Sequence, residues 1–227
     1  MSRFFSQVLQ ILKKDLRVEW RSREIVYTMA LFSVLVVVIF SFAFSAGGAP
    51  RHDVAGGVLW VAIVFSGTLG LSRIFERERE GETITALLLS PTSRAAIYLG
   101  KLIGTMIYMA ITEVVVVPLL IMLFGLQFAK PGLFILLVFL GTLGFAAVGS
   151  LFAATLMRVR SREVLLGILT FPIVTPVIVA GTKGTAALMA TPADPAAAMV
   201  WLKLVTTFDL VFVFVSFWAF GPLVSSD

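Results

Sequence analysis

RIFEREREGETITALLLSPTSRAAIYLGK, residues 73–101, is the one long polar interruption in an otherwise apolar chain. Seven charged side chains crowd its first ten residues: Arg73, Glu76, Arg77, Glu78, Arg79, Glu80 and Glu82. An apolar piece, Thr85 to Leu89, follows; Ser90 and Pro91 break it, and Arg94 and Lys101 lead back into apolar sequence. No bilayer core accepts that density of charge. The stretch therefore lies outside the membrane and divides two spans. Its charged and apolar pieces together give it the character of a docking element.

Outward from it, apolar runs occupy about 25–46, 54–74, 97–124, 132–157, 163–182 and 202–222, each near the roughly 20 residues that cross a bilayer as helix. The expected fold is all-α and polytopic, with six transmembrane helices. Composition agrees: 59% of residues are hydrophobic, 14% are charged and mean hydropathy is +1.02, whereas a soluble chain carries about 25% charged residues. Lys and Arg set the orientation. The N-terminal segment holds six, the 73–101 stretch five and the 157–163 loop three, fourteen in all, against four (Arg51, Lys130, Lys183 and Lys203) in the alternate connections. The excess places both termini and the 73–101 stretch in the cytoplasm. The net charge of +5 reflects this topology and no nucleic-acid groove.

Residues 2–22 read as an amphipathic helix lying in the cytoplasmic interface. Phe5, Leu9, Leu12 and Leu16 form one face, and Arg3, Gln10, Lys14, Arg17 and Arg21 form the other. This interfacial segment, 1–24, precedes a six-helix transmembrane domain at 25–227. Nine charges in the first 24 residues leave no apolar core for a cleavable signal, so the first span is expected to direct insertion. Gly47, Gly48 and Pro50, and then Lys130, Pro131 and Gly132, mark outer turns. The Ala-rich segment from Lys183 to Lys203, with Pro192, Asp194 and Pro195, reads as a longer outer connection carrying a short helix or re-entrant cap.

Within the membrane, Glu113 sits near mid-span, five residues before Pro118. A carboxyl there must be neutral, paired or turned into the bundle. It is a conformational latch, a contact to a transported polar group, or a hydrogen-bonding tie to a neighbouring helix. Asp209 in the last span poses the same choice. Pro172 and Pro176, near Thr170 and Thr175, should bend or locally unwind the fifth span and press it against its neighbours. That span is a moving, cavity-lining element or a structural kink. Gly141, Gly144, Ala147 and Gly149 offer a close-packing surface. Trp20, Trp60, Trp201 and Trp218 mostly fall near span ends, where interfacial anchoring is expected.

Without cysteine there is no disulfide or thiolate metal site. His52, the only histidine, reads as part of an outer turn beside Asp53; a metal site would need more ligands, and a haem-edge ligand is the alternative reading. No GxxxxGK[ST] loop is present, and so no ATP site of that kind. No hydrolytic constellation assembles, and the chain does not read as an enzyme.

Glu80, Gly81 and Glu82, then Leu87, Leu88, Leu89, Ser90 and Pro91, with Arg94, Gly100 and Lys101, resemble the first cytoplasmic loop of ABC-2 type transporter permeases. The resemblance implies a coupling helix that docks in a groove of a separate cytoplasmic ATPase, where ATP is bound. Gly57 to Ala62 entering the second span, Arg73-Ile74-Phe75 at its end, and Leu165, Leu166, Pro172, Pro176, Val177 and Gly181 in the fifth are similar to the CcmB family of haem exporter permeases of cytochrome c maturation. Ser72 and Arg77-Glu78-Arg79 depart from that pattern. The resemblance implies a prokaryotic inner-membrane subunit, paired with a second copy of itself and with the ATPase. It would work beside a haem-handling membrane protein and a haem chaperone, with haem as cargo and no cofactor held by this chain. Two rival readings remain: an ABC-2 permease for a drug, lipid or polysaccharide, and a non-transporting membrane scaffold.

Overall fold

The computed structural model describes residues 2–46, 51–81, 92–159, 161–190 and 192–225. All the regular structure among them is helical: α1 (Ser2–Ser22), α2 (Glu24–Ala46), α3 (Arg51–Glu80), α4 (Arg94–Phe124), α5 (Pro131–Thr155), a 3-10 turn (Leu156–Arg158), α6 (Arg162–Met189) and α7 (Pro195–Ser225). The six helices from α2 to α7 are long and apolar enough to cross a membrane. This is a multi-pass membrane protein.

Local chemistry sets the helix ends. Ser93 caps α4, its Oγ accepting from the Ala96 amide at 3.2 Å. Gly125, in the left-handed region at φ 65°, closes the same helix with its amide bonded to the Ile121 carbonyl. Pro131 opens α5. Between α1 and α2 the chain turns at Arg23, which adopts φ 55°.

The far end of α6 and the start of α7 differ from expectation. Met189 ends α6 and Pro195 begins α7, so Lys183 and Lys203 belong to two long helices, with no separate outer cap between them among the described residues. Alanine's high helix propensity extends both elements. Asp194 then fixes the short turn: its amide bonds to the Ala187 carbonyl at 2.9 Å and its Oδ1 accepts from Ala197 at 2.9 Å. The 73–101 stretch is also more helical than a loop, since α3 runs to Glu80 and α4 starts at Arg94.

α3 and α5 form the centre, with 67% and 61% of their apolar cores buried, against 22% for α2. Glycines make this approach possible. Trp60, fully buried, lies flat against Gly141 of α5 and Gly181 of α6, where a β-carbon would overlap its ring, and its Nε1 donates to Thr185 Oγ1 at 3.1 Å. Leu71 packs on Gly149 in the same way. The small-residue face of α5 thus packs as expected. Trp60 is a core wedge, not an interfacial anchor; its position near a helix end concealed the two glycines waiting for it. Trp20 and Trp218 are exposed, as anchors would be.

Candidate functional site

The two arms of the 82–91 stretch, the end of α3 and the start of α4, are both held by α1. That helix has three faces. Val8 and Ile11 are buried, with Asp15 and Glu19 on the same side. Phe5, Leu9 and Trp20 are exposed apolar residues, a surface suited to lipid. Arg3, Gln10, Arg17 and Arg21 are exposed on the third. Sequence periodicity joins Phe5, Leu9, Leu12 and Leu16 in one apolar face, but Leu16 packs on the core and Leu12 lies over Gly104 of α4, and Lys14 of the expected polar face turns to Asp15 and Glu78. Asp15 and Glu19, acids four residues apart in a basic helix, are the visible signal of the buried face.

α1 lies on α4 because Gly100 leaves room: a β-carbon there would come within 2.9 Å of Ile11 Cγ2. The close approach brings four charged groups together. Lys101, only 2% exposed, donates to Asp15 Oδ2 at 2.6 Å and to Glu78 Oε1 at 2.7 Å. Lys14 reaches Asp15 Oδ1 and Glu78 Oε1, both at 3.0 Å. Burial would lower the Lys14 pKa, but the carboxylates of Asp15 and Glu78 outweigh it and hold the ammonium above its ordinary value. Glu78 Oε2 has no hydrogen-bond partner among the described residues. One turn away Arg77 Nη1 pairs with Glu19 at 3.1 Å and Nη2 donates to Ser22 at 3.0 Å. Glu19 in turn accepts from the Val26 amide at 3.0 Å, which places negative charge at the N-terminus of α2. On the return arm the Ser93 amide donates to Gln7 Oε1 at 3.4 Å. Arg162 of α6 ties down the other side of α3 through Glu76 at 3.0 Å.

Of the candidate docking residues, Gly81 ends α3, its amide bonded to the Arg77 carbonyl, and Arg94 is exposed at the start of α4. Glu80 lies in the last turn of α3; Glu82, Leu87, Leu88, Leu89, Ser90 and Pro91 lie outside the described residues.

The intramembrane candidates are dispersed. Thr142 of α5 donates a short hydrogen bond to Glu113 Oε1. Asp209, 4% exposed, lies against Gly144 of α5, and neither oxygen has a partner among the described residues. α5 thus stands between the two carboxyls. Pro118, Pro172 and Pro176 are exposed. α6 continues unbroken through both of its prolines, so the expected unwinding is absent; the span lies against its neighbours as expected, through Val174, Val177, Ala180 and Gly181, while the two prolines themselves are exposed. Surrounding helical bonds carry the backbone through, and Thr175 Oγ1 donates to the Phe171 carbonyl at 2.8 Å.

The profile of the CcmB protein family matches residues 6–226. The chain belongs to the CcmB family. Among CcmB relatives, "Heme exporter protein B" of Pseudomonas aeruginosa is 24% identical over 211 residues, covering 92% of each chain. The protein of the same name from Paracoccus denitrificans is 26% identical over 200 residues, 86% of this chain and 89% of its own. The Escherichia coli K12 protein reaches 32% identity over 98 residues, 42% of this chain and 43% of its own. The matched region takes in all six spans and most of α1, so these CcmB elements are compared as a whole and not through one motif.

Proposed function

We propose that this CcmB chain is the permease subunit of an ABC transporter for cytochrome c biogenesis, and that it exports haem or releases a haem-loaded chaperone on the far side of the inner membrane. The names of its relatives support the cargo. Both termini and the 82–91 stretch face the cytoplasm, in keeping with the Lys and Arg excess. A separate ATPase binds ATP and docks on the segment from Glu80 to Arg94, with Leu87, Leu88 and Leu89 filling its groove and the flanking charges orienting it. A second copy of the chain completes the pore, and a haem-handling membrane protein supplies the cargo.

The observation that carries this reading is the fastening of both arms. A docking segment transmits force only when its ends are fixed to what must move, and here Lys101, Glu78 and Arg77 join α1, α3 and α4 into one body. Affinity purification of the chain from native membranes tests it: an ATPase and a haem-absorbing membrane protein should co-purify. Leu88→Arg should lose the ATPase while the chain remains folded in the membrane. Retention of an ATPase with unchanged coupling in Leu88→Arg removes the docking assignment; absence of any haem-absorbing partner removes the cargo.

A further inference from the structure

The N-terminal segment carries more positive charge than its own acids balance, and the fold sharpens the imbalance. Residues 2–24 hold six cations, Arg3, Lys13, Lys14, Arg17, Arg21 and Arg23, and three acids, Asp15, Glu19 and Glu24. All three acids are taken: Asp15 by Lys14 and by Lys101 of α4, Glu19 and Glu24 by Arg77 of α3. Lys14 is the one local cation that takes part. The other five have no acid partner among the described residues.

Their placement is ordered. On a helix of 3.6 residues per turn, Lys13, Arg17 and Arg21 recur every fourth residue, in a stripe away from the buried Ile11, Asp15 and Glu19 and beside the apolar stripe of Phe5, Leu9 and Trp20. Both stripes are exposed, Phe5 at 64% and Trp20 at 78%. Arg23 joins this side: its guanidinium stands 5.7 Å over the Trp20 ring and donates to the Tyr27 hydroxyl at 3.4 Å. Arg23 is also the single residue between α1 and the membrane span α2, which holds both stripes at the level of the lipid headgroups. An apolar stripe next to a cationic one matches acyl chains next to phosphates. Cations with no acid beside them favour headgroups of net negative charge over zwitterionic ones, whose own ammonium would meet the arginines.

We propose that α1 is a docking surface for acidic phospholipid, with Lys13, Arg17, Arg21 and Arg23 on the phosphates and Phe5, Leu9 and Trp20 in the acyl boundary. Asp15 and Glu19 of the same helix hold α4 and α3, so the lipid and the two arms of the 82–91 stretch grip different faces of one helix. The surface requires neither haem as cargo nor an ATPase.

Native mass spectrometry of the full chain in a non-ionic detergent tests it, with dioleoyl phosphatidylglycerol and dioleoyl phosphatidylcholine titrated separately. A basic residue near an anionic surface is worth about fivefold in affinity, so phosphatidylglycerol should bind about tenfold tighter or more. Lys13→Gln, Arg17→Gln and Arg21→Gln together should abolish the preference. Lys130→Gln, Lys183→Gln and Lys203→Gln, which remove the same charge from exposed positions elsewhere, should leave it intact. Where the α1 triple variant loses helical content by circular dichroism, Arg17→Gln alone is read and should lower the preference about fivefold. Equal affinity for the two lipids overturns the proposal and leaves the basic stripe to an acidic protein partner. A preference that survives neutralisation of α1, or that falls equally in the control triple, overturns it as well.

Discussion

Replacing Lys101 by Met removes one ammonium and leaves two carboxylates behind. Lys101 is 2% exposed, and its partners Asp15 and Glu78 are 12% and 7% exposed at the side chain. Removing one partner of a buried ion pair costs about 3–5 kcal/mol, chiefly because the surviving charge stays buried without compensation. Lys14 remains 3.0 Å from both acids and relieves part of that burden, so Lys101→Met should fall at the lower end, near 3 kcal/mol. Lys14→Met removes a lysine that is 37% exposed and leaves Lys101 in place; about 1 kcal/mol or less is expected for so solvated a pair. The difference of roughly 2 kcal/mol is large enough to measure by chemical unfolding in mixed micelles. The triple variant Lys101→Met, Asp15→Asn, Glu78→Gln removes the three buried charges, leaves the 37% exposed Lys14 to water, and should return to within about 1 kcal/mol of the parent, since neutral replacement of a buried cluster is often tolerated. Equal costs for the two lysine variants, or a triple variant less stable than Lys101→Met, would refute the assignment of Lys101 as the buried keystone.

Gly100→Leu should push α1 off α4 through Ile11, at an overpacking cost of about 1–3 kcal/mol. Because the chain has no cysteine, a single Cys at Ile11 reports the displacement directly as faster thiol labelling in the Gly100→Leu background. Trp60→Ala should cost about 3–5 kcal/mol by emptying the slot between Gly141 and Gly181, whereas Thr185→Val, which removes only the indole's acceptor, should cost about 1 kcal/mol; unfolding of the two variants ranks them. The Lys14 pKa is raised in the folded state, so its contribution is fully present below the ordinary lysine value of about 10.4 and is lost as pH climbs through the elevated one. The Lys14 contribution should therefore be constant between about pH 6 and pH 9, and Lys14→Gln should blunt the alkaline fall.

The six spans are legible because a bilayer demands long apolar runs, and the run lengths announce themselves. Their ends were harder. Lys183 and Lys203 read as connection markers because charge and alanine lower local hydropathy, yet alanine favours helix, and the short turn at Asp194 depends on hydrogen bonds that hydropathy does not sense. Family and fold class rest on patterns spread along the chain. Partnerships across the chain are another matter. The pairing of Lys101 with Asp15 spans 86 positions and that of Trp60 with Thr185 spans 125; only the folded packing sets such contacts. Glu113 was recognisable as a residue needing a partner, but nothing local marked Thr142. Asp15 and Glu19 came nearest to a readable signal, as acids misplaced on a basic helix.

The ties between the first and second halves of the bundle lie at distinct depths. Next to the 82–91 stretch, Glu76 of α3 pairs with Arg162 of α6. Further in, the Tyr98 hydroxyl of α4 donates to the Ala147 carbonyl of α5 at 3.2 Å, and Thr142 of α5 donates to Glu113 of α4. Towards the opposite end, Trp60 of α3 is wedged between α5 and α6 and bonded to Thr185. Under the proposed ATPase docking, a push delivered through the clasp would act first on α1, α3 and α4 together. The Glu76–Arg162 pair, 25% and 11% exposed at its side chains, is the tie that water reaches most readily. The Trp60 wedge is the tie that cannot slide without opening a cavity. Under that proposal, relative motion of the halves should be greatest at the end of the bundle that carries Glu76 and Arg162, and should pivot about Trp60.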